Sequence, residues 1–387
     1  MISEPLNHVF VPLNYDVFAG LDVDKTSISV SFIDHQGSLK SMRIPHKAEH
    51  LLNFVHKNYP GQKVAFAYEA GPTGYQLHDD LTSKGHPCLI AAPSMIPTAP
   101  GQRVKTNRLD SQKIAENLRG GQLKSIHVPS GPYRELRHLT QLRDTFVRQA
   151  AAAKNRIKAL LLFESLPFPE APAGSQWSKD VLSQLSSLPC SLILRFKLNQ
   201  LLSSLEFARS KAMETTRAVR HFCKKDPELE RCSGFLMSIP GIGFILASHL
   251  LARIGDWRQI QHVQQLASFL GVVPRENSTG THVQRGAITR SGDARLRGKL
   301  IQGAWASIRQ DPELREFYLR IYHRHPRPIA AKKAIVAVSR KLTTRIYSVL
   351  HEQRNYVVHP KTDSVPLTEE ETGLPQEMTR RQAEVQE

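Results

Sequence analysis

Two carboxylates at the ends of apolar segments, an amide and a carboxylate at the start of a helix, and one hydroxyl-bearing loop are the residues whose types and spacing could do chemistry. Asp22 follows an apolar run beginning at Val17, and Glu69 is the last residue before the turn in KVAFAYEAG. Asn107 and Asp110 stand three apart in RVKTNRLDSQKIA, so in a helix both face one side of its first turn. A lone aspartate at a strand end is commonly a plain loop carboxylate, but a glutamate inside an apolar strand is costly to bury unless it is paired or metal-bound. Two strand carboxylates and one on a nearby helix offer hard oxygen ligands for one or two Mg²⁺ ions, which can activate water or a hydroxyl for attack on phosphate.

The loop is GVVPRENSTGTHVQRGAITRSGDARLRGKL, residues 271–300. Ser278, Thr279 and Gly280 beside Arg275, Arg285 and Arg290 would place a hydroxyl nucleophile among guanidinium groups suited to a phosphodiester. The same composition also suits a solvated basic loop that only binds phosphate. Ser291, Gly292 and Asp293 cap the next helix, on which Arg295, Arg297 and Lys299 extend the basic surface. Upstream, Pro240-Gly241-Ile242-Gly243 precedes an apolar helix. It resembles a helix-hairpin-helix turn, whose backbone N–H groups meet a DNA phosphate, although such turns also serve simply as tight loops.

The elements that must hold these residues follow from periodicity. Ile28, Val30 and Phe32 alternate after Asp22, which predicts a strand pair around Gly37. A helix over 46–58, a strand ending at Glu69, a helix over 73–85 and a strand over 86–93 complete an α/β rhythm. Sites in such sheets lie beyond the carboxyl ends of the strands, where Glu69 and Asp22 both fall. Residues 132–162 carry Leu136, Leu139, Leu142, Phe146, Ala150, Ala153, Ile157 and Leu160 at helical spacing, and proline-rich LPFPEAPAG breaks this helix. A second helical stretch over 177–223 predicts an antiparallel arm, for which a plain helical bundle is the simpler alternative. Helices around 261–270, 312–322 and 328–350 close a mainly α-helical C-terminal region.

Composition bounds the partner. The 387 residues carry a formal charge of +17 and a pI near 9.8, which favours a polyanion, with nucleic acid foremost. The charge is uneven. Residues 1–100 hold seven basic against nine acidic side chains, and residues 281–341 hold fourteen against four. Residues 361–387, with three against seven and little apolar content, predict a disordered acidic tail. Cys88, Cys190, Cys223 and Cys232 show neither CxxC spacing nor a disulfide pattern, which suits a cytosolic chain with reduced thiols. With no long apolar run and no leader-like start, membrane insertion and secretion are not expected.

In order along the chain, GLDVDK, YEAGPTGY, RVKTNRLDSQKIA, IPGIG and the loop of residues 271–292 resemble the IS110/IS1111 family of insertion-sequence transposases, over roughly residues 15–350. That resemblance implies a RuvC-like (RNase H-like) α/β domain at 15–130, a helical coiled-coil arm at 131–233, a transposase domain at 234–352 and a tail at 353–387. It implies an acidic tetrad on Asp22, Glu69, the position held here by Asn107, and Asp110, serving Mg²⁺. Asn107 keeps a carbonyl oxygen but lacks the charge of the aspartate in the family pattern; Asp24 is a possible compensating carboxylate, unless continuation of the strand turns its side chain elsewhere.

The resemblance further implies a covalent serine–DNA intermediate, with Ser278 the preferred nucleophile and Thr279 the alternative. Its expected partners are the DNA of element ends and target, a non-coding bridge RNA that guides the choice, and further copies of the chain as a dimer or tetramer. The expected location is the bacterial cytoplasm, at the nucleoid when bound to DNA. Two other functions fit the same residues: a RuvC-like metal-dependent nuclease needing no serine, and a catalytically impaired nucleic-acid-binding protein, to which Asn107 lends weight.

Overall fold

A computed structural model of the chain describes residues 10–97, 106–172, 174, 176–277, 279 and 284–358. The chain divides into two compact units, Met1–Pro129 and Ser130–Glu387.

The first unit begins with β1 (Val17–Val23), which turns back as β2 (Ser27–Asp34) and β3 (Leu39–Pro45). Then come α1 (Ala48–Asn58), β4 (Val64–Glu69), α2 (Gln76–Ser83), β5 (Cys88–Ala91) and α3 (Asn107–Arg119). The sheet order is β3-β2-β1-β4-β5, antiparallel within the first three strands and parallel from β1 through β4 to β5. Parallel neighbours need a crossover, and α1 and α2 supply it. β1 and β4 are buried on both faces. Val17, Ala19, Leu21, Phe66 and Tyr68 pack with Leu51 and Val55 of α1 and Leu77 and Leu81 of α2. Phe18, Ala65 and Ala67 pack on the other side with Ile114, Ala115 and Leu118 of α3. A strand sandwiched in this way reads as an unbroken apolar run, because neither face meets water.

The second unit is mainly helical: α4 (Gly131–Phe163), α5 (Lys179–Ser187), α6 (Leu192–Lys225), α7 (Pro227–Met237), α8 (Phe244–Ile254) and α9 (Val263–Leu270). β6 (Pro274–Glu276) and β7 (Arg285–Ile288) follow, then α10 (Ala294–Gln310), α11 (Pro312–Tyr322) and α12 (Arg327–Glu352). α4 and α6 span two cores. Tyr133 and Leu136 of α4, with Val219 and Cys223 of α6, join a core shared with α7 to α12, whereas Ala153, Ile157 and Leu160 pack with α5 and with Leu198 and Leu205 of α6. Between those cores Leu142, expected inside, is 46% exposed, and Thr140 and Asp144 are buried instead.

Residues read from sequence as an uninterrupted loop contain an antiparallel ribbon, β6 with β7, pairing Pro274 with Ile288 and Glu276 with Arg285. Beyond α12, Tyr356 is held by its backbone N–H on Ser238 Oγ at 2.7 Å and its hydroxyl on Asp311 Oδ2 at 3.1 Å. The rest of the expected tail, residues 359–387, lies outside the described residues. All four cysteines are free, and no described helix is long and apolar enough to cross a membrane.

Candidate active site

β1 and β4 run parallel with Leu21 opposite Tyr68, so Asp22 and Glu69 are the next residues on two adjacent strands. Neighbours in a sheet are separated by about 4.8 Å. Their side chains share a face, because alternation along β1 sets Phe18, Gly20 and Asp22 on one side, and along β4 sets Ala65, Ala67 and Glu69 on the same side. That side is covered by α3. Asp22 is half-buried and Glu69 is exposed, so the expected expense of burying Glu69 does not arise. The strand ends too early to enclose it.

α3 is brought down by a glycine. A Cβ on Gly20 would lie 2.1 Å from the Ser111 carbonyl oxygen and 2.3 Å from the Ala115 nitrogen, a distance only glycine permits. Ser31, paired with Gly20 on the next strand, fixes the contact by a hydrogen bond from or to Ser111 Oγ at 2.8 Å. Ser111 and Ala115 lie over Gly20, and Leu118 packs with Phe18. α3 therefore runs opposite to β1, and its first turn sits at the carboxyl end of that strand. Asp110, half-buried in this turn, faces the end that carries Asp22 and Glu69.

Asn107 opens the same helix and donates from Nδ2 to Asp24 Oδ2 at 2.7 Å. β1 ends at Val23, which leaves Asp24 in the turn, with its N–H on the Ser27 carbonyl at 2.9 Å and its side chain turned toward α3. A strand continued through position 24 would also set Asp24 on the side of Asp22, because residues two apart share a face, so the expectation that strand continuation turns it elsewhere does not hold. Asp22, Glu69 and Asp110 supply carboxylate oxygens of the kind a hard divalent cation takes. Among the described residues, no group of three or more His, Cys, Asp or Glu side chains is arranged to hold a metal ion.

In the second unit, Ser278 lies outside the described residues, as does the side chain of Arg285, and Thr279 is exposed. What carries them is defined. Asn277 N–H bonds the Gln284 carbonyl at 2.9 Å and Thr289 N–H bonds the Val273 carbonyl at 2.8 Å, so the described pairing of the β6–β7 ribbon extends as far as Asn277 and Gln284. The ribbon's base is tightly packed. Gly271 (φ +68°) and Gly292 (φ +79°) are left-handed, and a Cβ on either would come within 2.0 Å of a backbone oxygen, of Ser291 and Phe269 respectively. Asp293 caps α10 through the Arg295 and Leu296 N–H groups and pairs with Arg253 Nε at 2.9 Å.

The basic residues expected on nucleic acid divide into two groups. Arg275, Arg290 and Arg295 are exposed beside the ribbon. Arg297 instead donates to the Ser291 carbonyl at 3.2 Å, and Lys299 places its ammonium 2.9 Å from Asp144 of α4. Asp144 also accepts from His249 Nε2 at 3.1 Å, and the His249 Nδ1 faces the Ile245 carbonyl at 2.7 Å. Sequence reading missed this Asp144–His249–Lys299 cluster; Asp144 lies off the apolar spacing of its helix, so no local signal marked it as buried. Gly241 (φ +86°) is pressed against α10, since its Cβ would stand 2.3 Å from the Gly303 carbonyl oxygen. Helix packing thus accounts for this glycine. Gly243 starts α8 with open space around it.

Residues 19–164 match a DEDD-type family model described as Transposase, and residues 233–319 match one described as Transposase IS116/IS110/IS902 family. A putative transposase, y4qE, of Sinorhizobium fredii is 32% identical over 246 residues, covering 63% of this chain and 58% of that protein. A probable family 20 transposase of Pseudomonas aeruginosa is 25% identical over 343 residues, 87% of this chain and 97% of its own. The transposase of insertion sequence element IS1111A from Coxiella burnetii is 26% identical over 257 residues, 65% and 68% of the two chains. The first unit carries the α/β fold that the DEDD model implies, RuvC-like, with its acidic positions at one end of the sheet. With both signatures present in their order along one chain, the protein belongs to the IS110 family of transposases.

Proposed function

We propose that the protein cuts and rejoins DNA at the ends of an insertion sequence and at its target, through a covalent serine–DNA link. The observation that carries this is the placement of Asp22, Glu69 and Asp110 at one end and on one face of the β1–β4 sheet, beneath the first turn of α3. These carboxylates would hold Mg²⁺, with the Asn107 carbonyl oxygen as a neutral further ligand. The cation, when bound, supplies Lewis-acid stabilisation of a phosphate oxygen. Ser278, next in the chain after Asn277, would attack phosphorus through Oγ as its proton leaves, and displace a deoxyribose oxygen that takes up a proton, storing the phosphodiester bond energy in a phosphoserine link. Thr279 is the alternative nucleophile. Arg275 and Arg285 would bind the nonbridging oxygens as charge develops on them.

The arrangement we propose is a RuvC-like domain at 15–130, a coiled-coil arm at 131–233, a transposase domain at 234–352 and a terminal tail at 353–387. The arm, formed by α4 and α6, would join copies of the chain so that one copy's carboxylates serve another's serine. Exposed Leu162, Phe163, Leu192, Ile193 and Phe196, at 64–84% exposure, support that reading. A non-coding bridge RNA would choose the sites by base pairing, in keeping with the basic second half of the chain.

Trapping on end-labelled element DNA tests the mechanism. The expected result is a protein–DNA adduct lost in Ser278→Ala and kept in Thr279→Ala, with Asp22→Asn and Glu69→Gln binding DNA but not cutting it. Hydrolysis without an adduct, surviving both hydroxyl substitutions, would overturn it in favour of a RuvC-like nuclease. Binding without cleavage at any Mg²⁺ concentration would favour the impaired binding protein. Sequencing the RNA that copurifies with the protein from cells carrying the element tests guidance; the absence of a pairing segment would sink it.

A further inference from the structure

We infer that Asp24 carries the negative charge that position 107 lacks, so that the turn after β1 supplies the fourth carboxylate of the cation site. This rests on reading Asp22, Glu69 and Asp110 as that site. The geometry is specific to the pair. Asn107 Nδ2 donates to Asp24 Oδ2 at 2.7 Å, so a carboxylate lies within one hydrogen bond of the amide that replaces the expected acid.

Neither side chain is needed for local structure. Thr106, not Asn107, caps α3, its Oγ1 accepting from the Leu109 N–H at 3.3 Å. The β1–β2 turn is closed by the Asp24 backbone N–H on the Ser27 carbonyl, which leaves the Asp24 side chain no part in it. Both side chains are exposed, so burial gives no reason for their pairing.

Electrostatics then explains why the two residue types go together. Two carboxylates at this separation would repel, whereas an amide and a carboxylate attract and present a single charge between them. An aspartate at 107 therefore fits a neutral residue at 24, and an asparagine at 107 fits an aspartate at 24. In this chain the charge has moved from the helix to the turn. The amide also holds the Asp24 carboxylate on the side of α3, so that Asp24 would act as a ligand positioned by the Asn107 Nδ2 group, beside the neutral Asn107 carbonyl oxygen.

The test is a charge swap in the full-length protein, read by calorimetric titration with Mn²⁺ alone and by cleavage of element DNA. Asp24→Asn should weaken Mn²⁺ binding by about 10-fold or more, and Asp24→Asn/Asn107→Asp, which returns one charge to the pair, should recover to within about threefold of the parent. Thermal melting without metal reports that each variant is folded. If Asp24→Asn binds Mn²⁺ as the parent does while Asp22→Asn does not, the cation site stands and Asp24 has no part in it. If the swap fails to recover affinity lost in Asp24→Asn, charge is not what Asp24 supplies, and the inference is likewise overturned. Should Asp22→Asn also bind normally, the cation site itself is misplaced.

Discussion

The Ser111 carbonyl oxygen stands 2.1 Å from the point a Cβ on Gly20 would occupy, so the helix bearing Asp110 rests directly on the strand bearing Asp22. Gly20→Ala must push α3 outward at Ser111 and Ala115. Overpacking of this kind typically costs about 1–3 kcal/mol. Chemical denaturation should show that loss, and DNA cleavage should fall further than the folded fraction does, because Asp110 moves away from Asp22. Parental stability in Gly20→Ala would contradict the close approach.

The Asp144 cluster makes stability depend on acid. Burial alone would raise the Asp144 carboxyl, but hydrogen bonds and charge from His249 and Lys299 outweigh it and hold the group well below the usual carboxylate range. The unfolded chain then binds the proton more readily, so this contribution is full above about pH 4 and is lost as pH falls further toward the folded value. Asp144→Asn should melt lower than the parent at neutral pH, and the gap should narrow below about pH 4. Asp144→Ala, which strands the Lys299 ammonium and the His249 ring, should cost about 3–5 kcal/mol. A gap independent of pH would show that the carboxylate charge is not what matters.

A second ion network closes the other end of the same unit. Arg345 of α12 is paired with Asp311 and lies 2.8 Å from Glu313 of α11, and Tyr356 bonds the same Asp311. Burial, with the neighbouring carboxylates, pushes the Tyr356 hydroxyl up to about 12, so it stays a donor across the physiological range. A chain ending at residue 358 keeps both Tyr356 hydrogen bonds. One ending at residue 352, which loses both Tyr356 hydrogen bonds, should be destabilised by about 1–3 kcal/mol.

Gly292 tests whether the ribbon must be aimed. Gly292→Ala imposes a Cβ where φ is +79° and the Phe269 carbonyl oxygen is 2.0 Å away, so the base of β6–β7 has to shift. Misplacement of a reacting group by about 1 Å can lower a rate roughly 100-fold. Adduct formation should drop on that scale while DNA binding, measured by gel shift, changes little. An equal loss of both would assign the ribbon to binding instead of chemistry.

Local pattern accounts for much of the first unit. The apolar runs that end at Asp22 and Glu69 could be read as strands because both faces of β1 and β4 are buried. The helix bearing Leu51, Leu52 and Val55 was equally legible from its spacing. Family motifs then picked out the acidic positions. Local pattern failed where polar residues were held by distant partners. Lys299 and Arg297 have the composition of a phosphate-binding surface, yet one meets Asp144 on a helix far back in the chain and the other meets the backbone beside Gly271. Nothing in the residues near them announces such partners.

The sequence by itself determined the strands of the first unit, their terminal carboxylates, the basic composition of residues 271–300 and the family, since these depend on residue type, short-range period and ordered motifs, whereas the β6–β7 ribbon within that stretch was not legible. Only the tertiary structure decided which residues meet. It set Asp22 beside Glu69 through parallel register, lowered α3 onto Gly20, and brought Asn107 at the start of α3 to Asp24 in the turn after β1. Register and close approach arise from the packing of segments dozens of residues apart, and a pairing such as Asn107 with Asp24 leaves no periodic trace along the chain.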